Sequence, residues 1–426
     1  MTPAAHAAAA IEVLADIFDH HRPATVALAG WGRAHRFAGS RDRAAIGDIV
    51  HDTLRRKASL GWRMGADIPR ALVLGWLAHV AGHAVEDIAR MAKEKYGFGP
   101  LSDDEKRALA NPRGLDDAPD WVRGDYPRWL DAEMARAFGD AAAQEGAALA
   151  KRAALDVRVN ALKTTREKAT QALAHLAPAP TPFSRWALRF HERGGRLPHI
   201  QAEEAFRKGR IAIQDEGSQI AAALTGARPG LQVLDLCAGG GGKTLALAAM
   251  MENRGQIFAF DADKTRLAPI HDRLQAAGVR NTQVIAPHHK KRLDALRERM
   301  DVVLVDAPCS GSGTWRRKPD AKWRLTEKSL DKRLGEQAAL LKQAADYVKP
   351  GGRLVYVTCS VLPCENMDQV SAFLAAHDAF ALAGWRDQAA TLAALPDAPR
   401  DAPALQLTPR RHATDGFFIA VMARRP

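Results

Sequence analysis

The chain has 426 residues, 47% hydrophobic and 26% charged, which is enough for about two to four globular domains. Its formal net charge of +12 favours a polyanionic partner, although a generally basic surface would give the same charge. No apolar run approaches the roughly 20 residues of a membrane span, and the first residues do not resemble a signal peptide. Four cysteines in so long a chain do not form a disulfide framework, which indicates a reduced, cytoplasmic protein without a membrane partner.

The first part of the chain, residues 1–145, is predicted to form a helical domain. Apolar residues recur there three and four positions apart, which is the spacing of amphipathic helices. Pro23, Pro69 and Pro112 separate the predicted helices. A basic run at residues 55–57 has two interpretations that the sequence leaves open, a solvated face or an RNA contact.

Residues 146–204 are predicted to form a small α/β module. An alternating strand, a turn and a helix can be assigned within residues 155–176, and a proline-rich joint follows at 177–182. Nothing in this module carries chemistry by itself.

From residue 205 to residue 426 strands alternate with helices, which predicts an α/β domain with a doubly wound, Rossmann-like parallel sheet. Helices are predicted at 264–277 and 330–348, the second ended by a Lys-Pro-Gly-Gly stop. The last strand is predicted to lie at the margin of the sheet. The predicted strands are residues 231–236, 256–261, 282–286, 301–306, 353–357 and 415–425.

A glycine-rich stretch, residues 237–244 (CAGGGGKT), follows the first of these strands. A phosphate-binding P-loop would need a glycine in place of Cys237, and a dinucleotide fingerprint would need one in place of Thr244 or Leu245. We interpret the stretch as a loop for the methyl donor S-adenosylmethionine, with Asp261 at the next strand end accepting the ribose hydroxyls. A flexible loop without a ligand is the alternative, but four consecutive glycines are costly without one.

Two cysteines, Cys309 and Cys359, each follow a predicted strand. Carbon-5 of a pyrimidine is a poor nucleophile, and a thiolate that adds to carbon-6 creates an enamine able to attack a methyl group. Such chemistry needs an acid at the ring nitrogen and a base for the carbon-5 proton, and Asp306 is a candidate. The basic surroundings are expected to favour the thiolate. The alternatives are inert core cysteines and a zinc site with Cys364, which lacks a C-x-x-C pair.

The ten residues 315–324 (WRRKPDAKWR) contain five basic side chains and two tryptophans. Guanidinium and aromatic groups can pair with phosphates and stack on unpaired bases, so this segment is interpreted as an RNA contact. A solvated loop with structural tryptophans is the alternative. The target base must be unpaired or flipped, because carbon-6 cannot be attacked within a stack. The candidate RNA-binding residues are Arg316, Arg317, Lys318 and Trp323.

Six stretches together resemble the NOL1/NOP2/Sun family of RNA cytosine-5 methyltransferases, especially its bacterial branch that acts on 16S ribosomal RNA. The resemblance covers residues 150–426 well and the helical front less specifically. The stretches are 214–219 (QDEGSQ), 233–244 (VLDLCAGGGGKT), 260–267 (FDADKTRL), 306–323 (DAPCSGSGTWRRKPDAKW), 358–366 (TCSVLPCEN) and 414–418 (TDGFF).

The resemblance implies different roles for the two cysteines, which their spacing alone does not assign. Cys359 would be the nucleophile, Cys309 would assist release of the methylated RNA, and Asp306 would contact both the donor and the cytosine. It also implies a NusB-like helical front, an RRM-like linker module, a monomer and no metal. Transfer RNA as the substrate, or a non-catalytic RNA-binding assembly factor, remain alternatives. The implied donor-binding residues are Cys237, Ala238, Gly239, Gly240, Gly241, Gly242, Lys243, Asp261, Arg266 and Asp306.

Three features depart from the family pattern. Gly239 and Gly240 stand where the family usually has alanine and proline. The segment after the third strand has no acidic residue from 283 to 293, where the family has an acid near the adenine. Cys364 stands where glutamate is common, which we interpret as a neutral replacement.

Overall fold

The computed structural model describes all residues, 1–426, and divides the chain into two compact units. The first unit consists of residues 1–152 and 315–326, and the second of residues 153–314 and 327–426. The tryptophan-containing basic segment is therefore part of the first unit, although its neighbours in sequence belong to the second. No helix combines the length and apolar character needed to cross a membrane.

The first unit is helical, as predicted. Pro23 and Pro69 stand at the starts of α2 and α5, where a fixed φ and a missing N–H are tolerated. Alanines and branched apolar side chains form its core, to which α1, α3 and α5 contribute most. The helices are α1 (Pro3–His20), α2 (Ala24–Ala34), α3 (Ser40–Arg55), α4 (Lys57–Met64), α5 (Pro69–His79), α6 (Val85–Ala92), α7 (Asp103–Ala110), α8 (Asp120–Arg123), α9 (Asp131–Phe138) and α10 (Ala142–Ala150).

The basic run at residues 55–57 is not an exposed face. The Arg55 side chain is buried and donates hydrogen bonds to Asp52 Oδ1 at 3.0 Å and to the Arg316 carbonyl at 3.2 Å. Lys57 forms an ion pair with Asp67. Both interpretations of this run assumed an exposed arginine at position 55, and for that residue they were wrong.

The second unit begins with a small antiparallel sheet in the strand order β2-β3-β1-β4. β1 places Val157 and Val159 in its core, and also buries Asp156 and Arg158 on the other face. The sheet extends beyond residue 204, because β4 pairs with β1. Its elements are β1 (Leu155–Val159), α11 (Arg166–Ala172), β2 (Ala179–Pro180), β3 (Ala187–Phe190), α12 (Glu204–Arg207) and β4 (Ile211–Ile213).

The rest of the second unit is an α/β domain with an eight-stranded sheet. The segment that belongs to the first unit contributes α18 (Pro319–Arg324) between β8 and α19. The elements are α13 (Glu216–Ala223), β5 (Gln232–Asp235), α14 (Gly242–Met250), β6 (Gln256–Phe260), α15 (Lys264–Leu267), α16 (Ile270–Ala277), β7 (Thr282–Ile285), α17 (Lys290–Asp294), β8 (Met300–Asp306), α19 (Glu327–Ala345), β9 (Val348–Thr358), α20 (Met367–Ala376), β10 (Phe380–Ala383), β11 (Leu405–Leu407), α21 (Pro409–His412) and β12 (Phe417–Arg424).

In the strand order β10-β12-β9-β8-β5-β6-β7, successive strands are first added on one side of β5 and then on the other. From β5 the chain proceeds outward through β6 and β7, and then returns to add β8 and β9 on the other side of β5. These five strands are parallel, so their carboxyl ends meet at one edge. In open α/β sheets the crevice at such a reversal, here between β5 and β8, is where ligands bind.

The large sheet differs from the predicted one in two respects. β12 does not lie at the margin, because it pairs antiparallel with β9, β10 and β11. The Lys-Pro-Gly-Gly stretch does not end a helix but lies inside β9, next to a register irregularity against β8 at Met300 and Val302. Antiparallel insertion of a late strand depends on contacts distant in sequence, which local patterns do not encode.

The segment of residues 315–326 packs into the first unit through α18, which lies against α3. Lys322 is 1% exposed, donates a hydrogen bond to the Arg55 carbonyl at 3.1 Å and lies over the rings of Trp315 and Trp323. Burial lowers the pKa of Lys322 to about 8, although the negative charge of Asp125 acts to raise it. Burial likewise raises the pKa of Asp125 to about 6. The two buried charges therefore compensate one another within this unit.

We expect Lys322→Ala to lower the free energy of unfolding by about 3 kcal/mol, because it leaves the Asp125 carboxylate buried without its cation. Lys318→Ala, at an exposed lysine of the same segment, is the matched control and should change it by less than about 0.5 kcal/mol. Urea unfolding at pH 7.5 followed by tryptophan fluorescence measures both, since Trp315 and Trp323 adjoin the Lys322 ammonium. Equal free energies of unfolding for Lys322→Ala and Lys318→Ala would contradict the charge compensation between Lys322 and Asp125.

Candidate active site

The predicted site residues of the α/β domain gather at the carboxyl edge of the parallel strands. Asp235 ends β5, Asp306 ends β8, and Cys359 directly follows β9. The glycine-rich loop leaves this edge after β5, and Asp261 follows β6. The structure thus brings the loop, the carboxylates and the cysteines to one edge, next to the β5–β8 reversal.

The glycine-rich loop is held by a carboxylate of the neighbouring strand end. Asp261 is buried and accepts hydrogen bonds from the Gly239 and Asp263 backbone N–H groups, both at 2.9 Å. Gly241 has a φ of +79°, and a Cβ there would lie 2.6 Å from Ile270. The backbone conformation and the close contact both require glycine at this position. Arg266 lies 3.9 Å from Asp261, at the exposed side of the same loop.

Asp235 is a buried carboxylate that sequence reasoning missed. Its Oδ2 accepts a hydrogen bond from the Thr244 hydroxyl at 2.7 Å, whereas its Oδ1 has no partner. Burial raises the pKa of Asp235 to about 7. Burial and the nearby Asp235 carboxylate also raise the pKa of the Cys237 thiol. Cys237 therefore remains a neutral thiol near physiological pH. The sequence signal that could have identified Asp235 is an aspartate that ends an apolar strand just before the glycine-rich loop.

Lys243 and Asp306 form an ion pair across the crevice between β5 and β8. Lys243 Nζ lies 2.7 Å from Asp306 Oδ2 and 5.2 Å from the centre of the Phe417 ring. Lys243 is almost fully buried, but about a third of the Asp306 side chain is exposed. A buried lysine in the first turn of α14 thus orients a carboxylate that remains open to a ligand.

The two predicted catalytic thiols are in contact. Cys309 Sγ and Cys359 Sγ lie 3.4 Å apart, within hydrogen-bonding distance for sulfur. Their hydrogen bond and burial raise the pKa of Cys309 well above the ordinary value of a thiol. For Cys309 the expected thiolate-favouring surroundings are therefore absent, and its S–H is available to donate to Cys359. A thiolate that accepts such a hydrogen bond is stabilised.

Glu365 is a second residue that sequence reasoning missed. It is fully buried and accepts hydrogen bonds from the Ser310 N–H at 2.7 Å, the Ser310 hydroxyl and the Gln337 amide at 3.0 Å. Gln337 also donates to the Pro308 carbonyl at 3.0 Å. Glu365 and Gln337 therefore fix the backbone on both sides of Cys309. Glu365 follows Cys364 in the second cysteine motif, and a carboxylate within that motif was the sequence signal that could have identified it.

Backbone contacts join the two cysteine loops directly. The Gly313 N–H donates to the Cys359 carbonyl at 2.9 Å, and the Gly416 N–H donates to the Gly313 carbonyl at 2.8 Å. A Cβ on Gly313 would lie 2.1 Å from the Gly416 carbonyl oxygen, so only glycine permits this approach. The Ser312 and Ser360 hydroxyls lie 2.9 Å apart and add a side-chain link. The Thr-Asp-Gly sequence at 414–416 therefore supports the cysteine loops.

The four candidate RNA-binding residues do not share one environment. Arg316 is buried, and Trp323 packs against the helical core and donates to the Leu54 carbonyl at 2.6 Å. Arg317 is half-buried and Lys318 is exposed. All four lie in the first unit, whereas the thiols lie in the second.

Comparisons with known proteins agree with this architecture. A family model described as 16S rRNA methyltransferase RsmB/F matches residues 223–423, and one described as a Methyltr_RsmF/B-like, ferredoxin-like domain matches residues 126–194. The crystal structure of PH0851 is 25% identical, with a TM-score of 0.74 and coverage of 99% of each chain. The fold is therefore a Rossmann-like methyltransferase domain preceded by a ferredoxin-like module and a helical region.

Two curated relatives from bacteria are similar in sequence. A probable ribosomal RNA small subunit methyltransferase B from Synechocystis sp. is 33% identical over 305 residues, covering 69% of this chain and 66% of that protein. A ribosomal RNA small subunit methyltransferase B from Erwinia tasmaniensis is 28% identical over 423 residues, covering 92% of this chain and 93% of that protein. The match to the Synechocystis protein spans just under two thirds of its length.

We expect Glu365→Ala to lower the free energy of unfolding by about 2–4 kcal/mol, because it leaves the Ser310 and Gln337 donors buried without an acceptor. Loss of the carboxylate charge should also lower the pKa of Cys309, so that iodoacetamide alkylates this thiol several-fold faster at pH 8. Peptide mass spectrometry resolves Cys309 from Cys359. Glu336→Ala, at a partly exposed glutamate of α19, is the control, and equal effects of both variants would refute the role of Glu365.

Proposed function

The chain belongs to the RsmB/F family of 16S rRNA methyltransferases, and we propose that it transfers a methyl group from S-adenosylmethionine to carbon-5 of a cytosine in small-subunit rRNA. The observation that carries the proposal is the contact between Cys309 and Cys359, 3.4 Å apart at the same edge of the sheet as the Lys243–Asp306 pair. A cytosine-5 methyltransferase needs a thiolate nucleophile, a means of release and an acid at the ring. An rRNA substrate would place the protein in the cytoplasm.

The residues around the glycine-rich loop fit the methyl donor. A Cβ would obstruct the backbone at Gly241, and Asp261 holds the loop while keeping lone pairs for ribose hydroxyls. When bound there, S-adenosylmethionine supplies an electrophilic methyl group at the edge where the cysteines lie. Ala238, Gly239, Gly240 and Gly242 would shape this site through their backbone, whereas Lys243 would act through Asp306.

The two thiols would take different roles in the reaction. Cys359, as the thiolate, would form a bond to carbon-6 while Asp306, in its protonated form, would donate a hydrogen bond to the ring nitrogen and so stabilise the negative charge that develops there. Cys309, whose pKa is raised, would keep its proton and donate a hydrogen bond to the Cys359 thiolate 3.4 Å away, which would stabilise the thiolate before attack. After methyl transfer, a base would take the carbon-5 proton, and the electron pair of that C–H bond would re-form the double bond between carbon-5 and carbon-6. Cleavage of the carbon-6–sulfur bond would then return its electron pair to Cys359. The assignment of Cys309 to this release follows the family resemblance.

The substrate is proposed from the relatives and from charge. The curated relatives are described as ribosomal RNA small subunit methyltransferases, which favours rRNA over transfer RNA. The intact pair of thiols and the ordered donor loop favour an enzyme over a non-catalytic assembly factor. Arg317 and Lys318 retain the proposed role in RNA contact, whereas Arg316 and Trp323 would support the segment from within.

We expect Cys359→Ala to abolish both the methylated product and any covalent RNA adduct, because no thiol then attacks carbon-6. Cys309→Ala should instead accumulate a stable adduct between Cys359 and the RNA, since release is impaired. Denaturing gel electrophoresis with radiolabelled 16S rRNA detects the adduct, and bisulfite mapping of the RNA locates the methylated cytosine. Cys364→Ala is the matched control and should behave as the unaltered protein. Full activity of Cys359→Ala would overturn the assignment.

We expect Asp261→Asn to weaken S-adenosylmethionine binding by about 10-fold, which corresponds to loss of one hydrogen bond to a charged group. Isothermal titration calorimetry measures this affinity without RNA. Glu252→Gln, an exposed substitution beyond the other end of α14, should leave it unchanged. No binding to the unaltered protein at millimolar donor would favour the non-catalytic alternative.

A further inference from the structure

A cavity of about 320 Å³ lies in the second unit, and no cysteine is among the residues that line it. β1 and β4 of the small sheet form one wall, and α14 and α16 of the α/β domain form the other. Its surface is mostly apolar, with Leu245, Ile211 and Ala277 among the lining residues. Three arginines, Arg158, Arg207 and Arg273, also line it, together with a single carboxylate, that of Asp272.

Arg158 is buried in the cavity wall without an acidic partner. It is 4% exposed, and its Nε donates to Gln214 Oε1 at 2.6 Å while its Nη1 reaches the Leu245 carbonyl at 3.5 Å. Its Nη2 makes no hydrogen bond. Burial lowers the pKa of Arg158 to about 10, and the charge of Arg273 acts in the same direction. The guanidinium is still positively charged at neutral pH, so a buried cation is left uncompensated.

Arg273 adds a second guanidinium to the same cavity. It is half-buried and donates to the Gly240 carbonyl at 2.5 Å, and burial lowers its pKa. No carboxylate lies within ion-pairing distance of it, and the Asp272 side chain is exposed at the cavity mouth. Two neighbouring guanidinium groups repel one another, and a bound anion would remove both this repulsion and the cost of burial.

The basic character continues outward from the cavity mouth. An adjoining depression of about 480 Å³ shares Arg207 and is further lined by Lys163, Lys208 and Arg210, all of them exposed. Lys163 is held in place by the Lys208 carbonyl at 3.0 Å. Lys208 forms an ion pair with Glu204 at 2.6 Å, and the charge of this glutamate also acts on Arg207 and Arg210, so one carboxylate faces several cations. The positive charge thus extends further than one small anion could use, which favours a chain of phosphates.

We propose that this cavity binds a backbone phosphate of the RNA, with the exposed basic depression following the neighbouring phosphates. The inference rests on the proposed function, since it assigns a further contact to the same substrate. The planar guanidinium of Arg158 matches the oxygens of a phosphate, and the apolar walls are suited to the adjoining ribose. Free inorganic phosphate shares this chemistry and is distinguished by the experiment.

The test measures binding of in vitro transcribed 16S rRNA by the full chain, by filter binding between 50 and 300 mM KCl. We expect Arg207→Gln to weaken binding about 5-fold and to reduce the slope of log affinity against log salt by about 0.7–0.9. Arg158→Lys retains the charge but loses the planar guanidinium that can donate two parallel hydrogen bonds. It should weaken binding about as much, with little change in the slope of log affinity against log salt. Arg280→Gln, at an exposed arginine that lines neither depression, is the matched control.

Separate readouts distinguish the possible outcomes. S-adenosylmethionine affinity, measured by calorimetry, should be unchanged in Arg207→Gln, which shows that the variant is folded. If the unaltered protein binds and methylates rRNA but both variants bind it equally well, the cavity proposal is overturned while the proposed function stands. If inorganic phosphate raises the Tm of the unaltered protein and not that of Arg158→Lys, yet RNA affinity is the same in both, the site takes free phosphate and the RNA assignment is overturned. Failure of the unaltered protein to bind or methylate RNA refutes the proposed function itself.

Discussion

The contact between two thiols that are 50 residues apart depends on the parallel pairing of β8 and β9. Because both strands end at the same edge, the loops that follow them are adjacent, and Cys309 and Cys359 meet. Strand pairing alone fixes the backbone only to the ends of the strands. Beyond that point Glu365 and the Gly313–Gly416 approach hold the loops, so the thiols stay in contact without a disulfide.

Burial raises the pKa values of several titratable groups at this edge of the sheet. Asp235 and Cys237 lie deepest and have raised pKa values, so both resist ionisation. Asp306 is paired with a buried lysine and remains accessible. The hydrogen bond to Cys359 and burial raise the pKa of Cys309 well above the ordinary value of a thiol. The surroundings of Cys309, rather than its residue type, therefore disfavour its ionisation.

Much of this arrangement could be predicted from the sequence, because it depends on strand ends. Apolar runs followed by Asp-Ala-Pro-Cys, Thr-Cys-Ser and a glycine-rich loop place these residues at one edge once the sheet is parallel. The environment of Arg55 and Trp323 could not be predicted, because a run of arginines, lysines and tryptophans has the same composition on a surface and inside a helical core. Their burial follows from the packing of α18 on α3, a contact between residues more than 250 positions apart. Glu365 was missed for a similar reason, since its partners Ser310 and Gln337 belong to other elements.

The same distinction governs how a net charge of +12 should be interpreted. Arg55 and Lys322 are buried and bound to partners within the helical unit, so they contribute little to the field that an RNA experiences. Arg158 is buried as well, but it lacks a carboxylate and faces a cavity that leads to exposed cations. Burial alone therefore does not separate structural charges from those available to a ligand. The two cases differ in their counter-charges. Lys322 has the opposing charge of Asp125 within the fold, whereas the charged neighbour of Arg158 is another cation, Arg273, which is why we propose an anion from outside for Arg158.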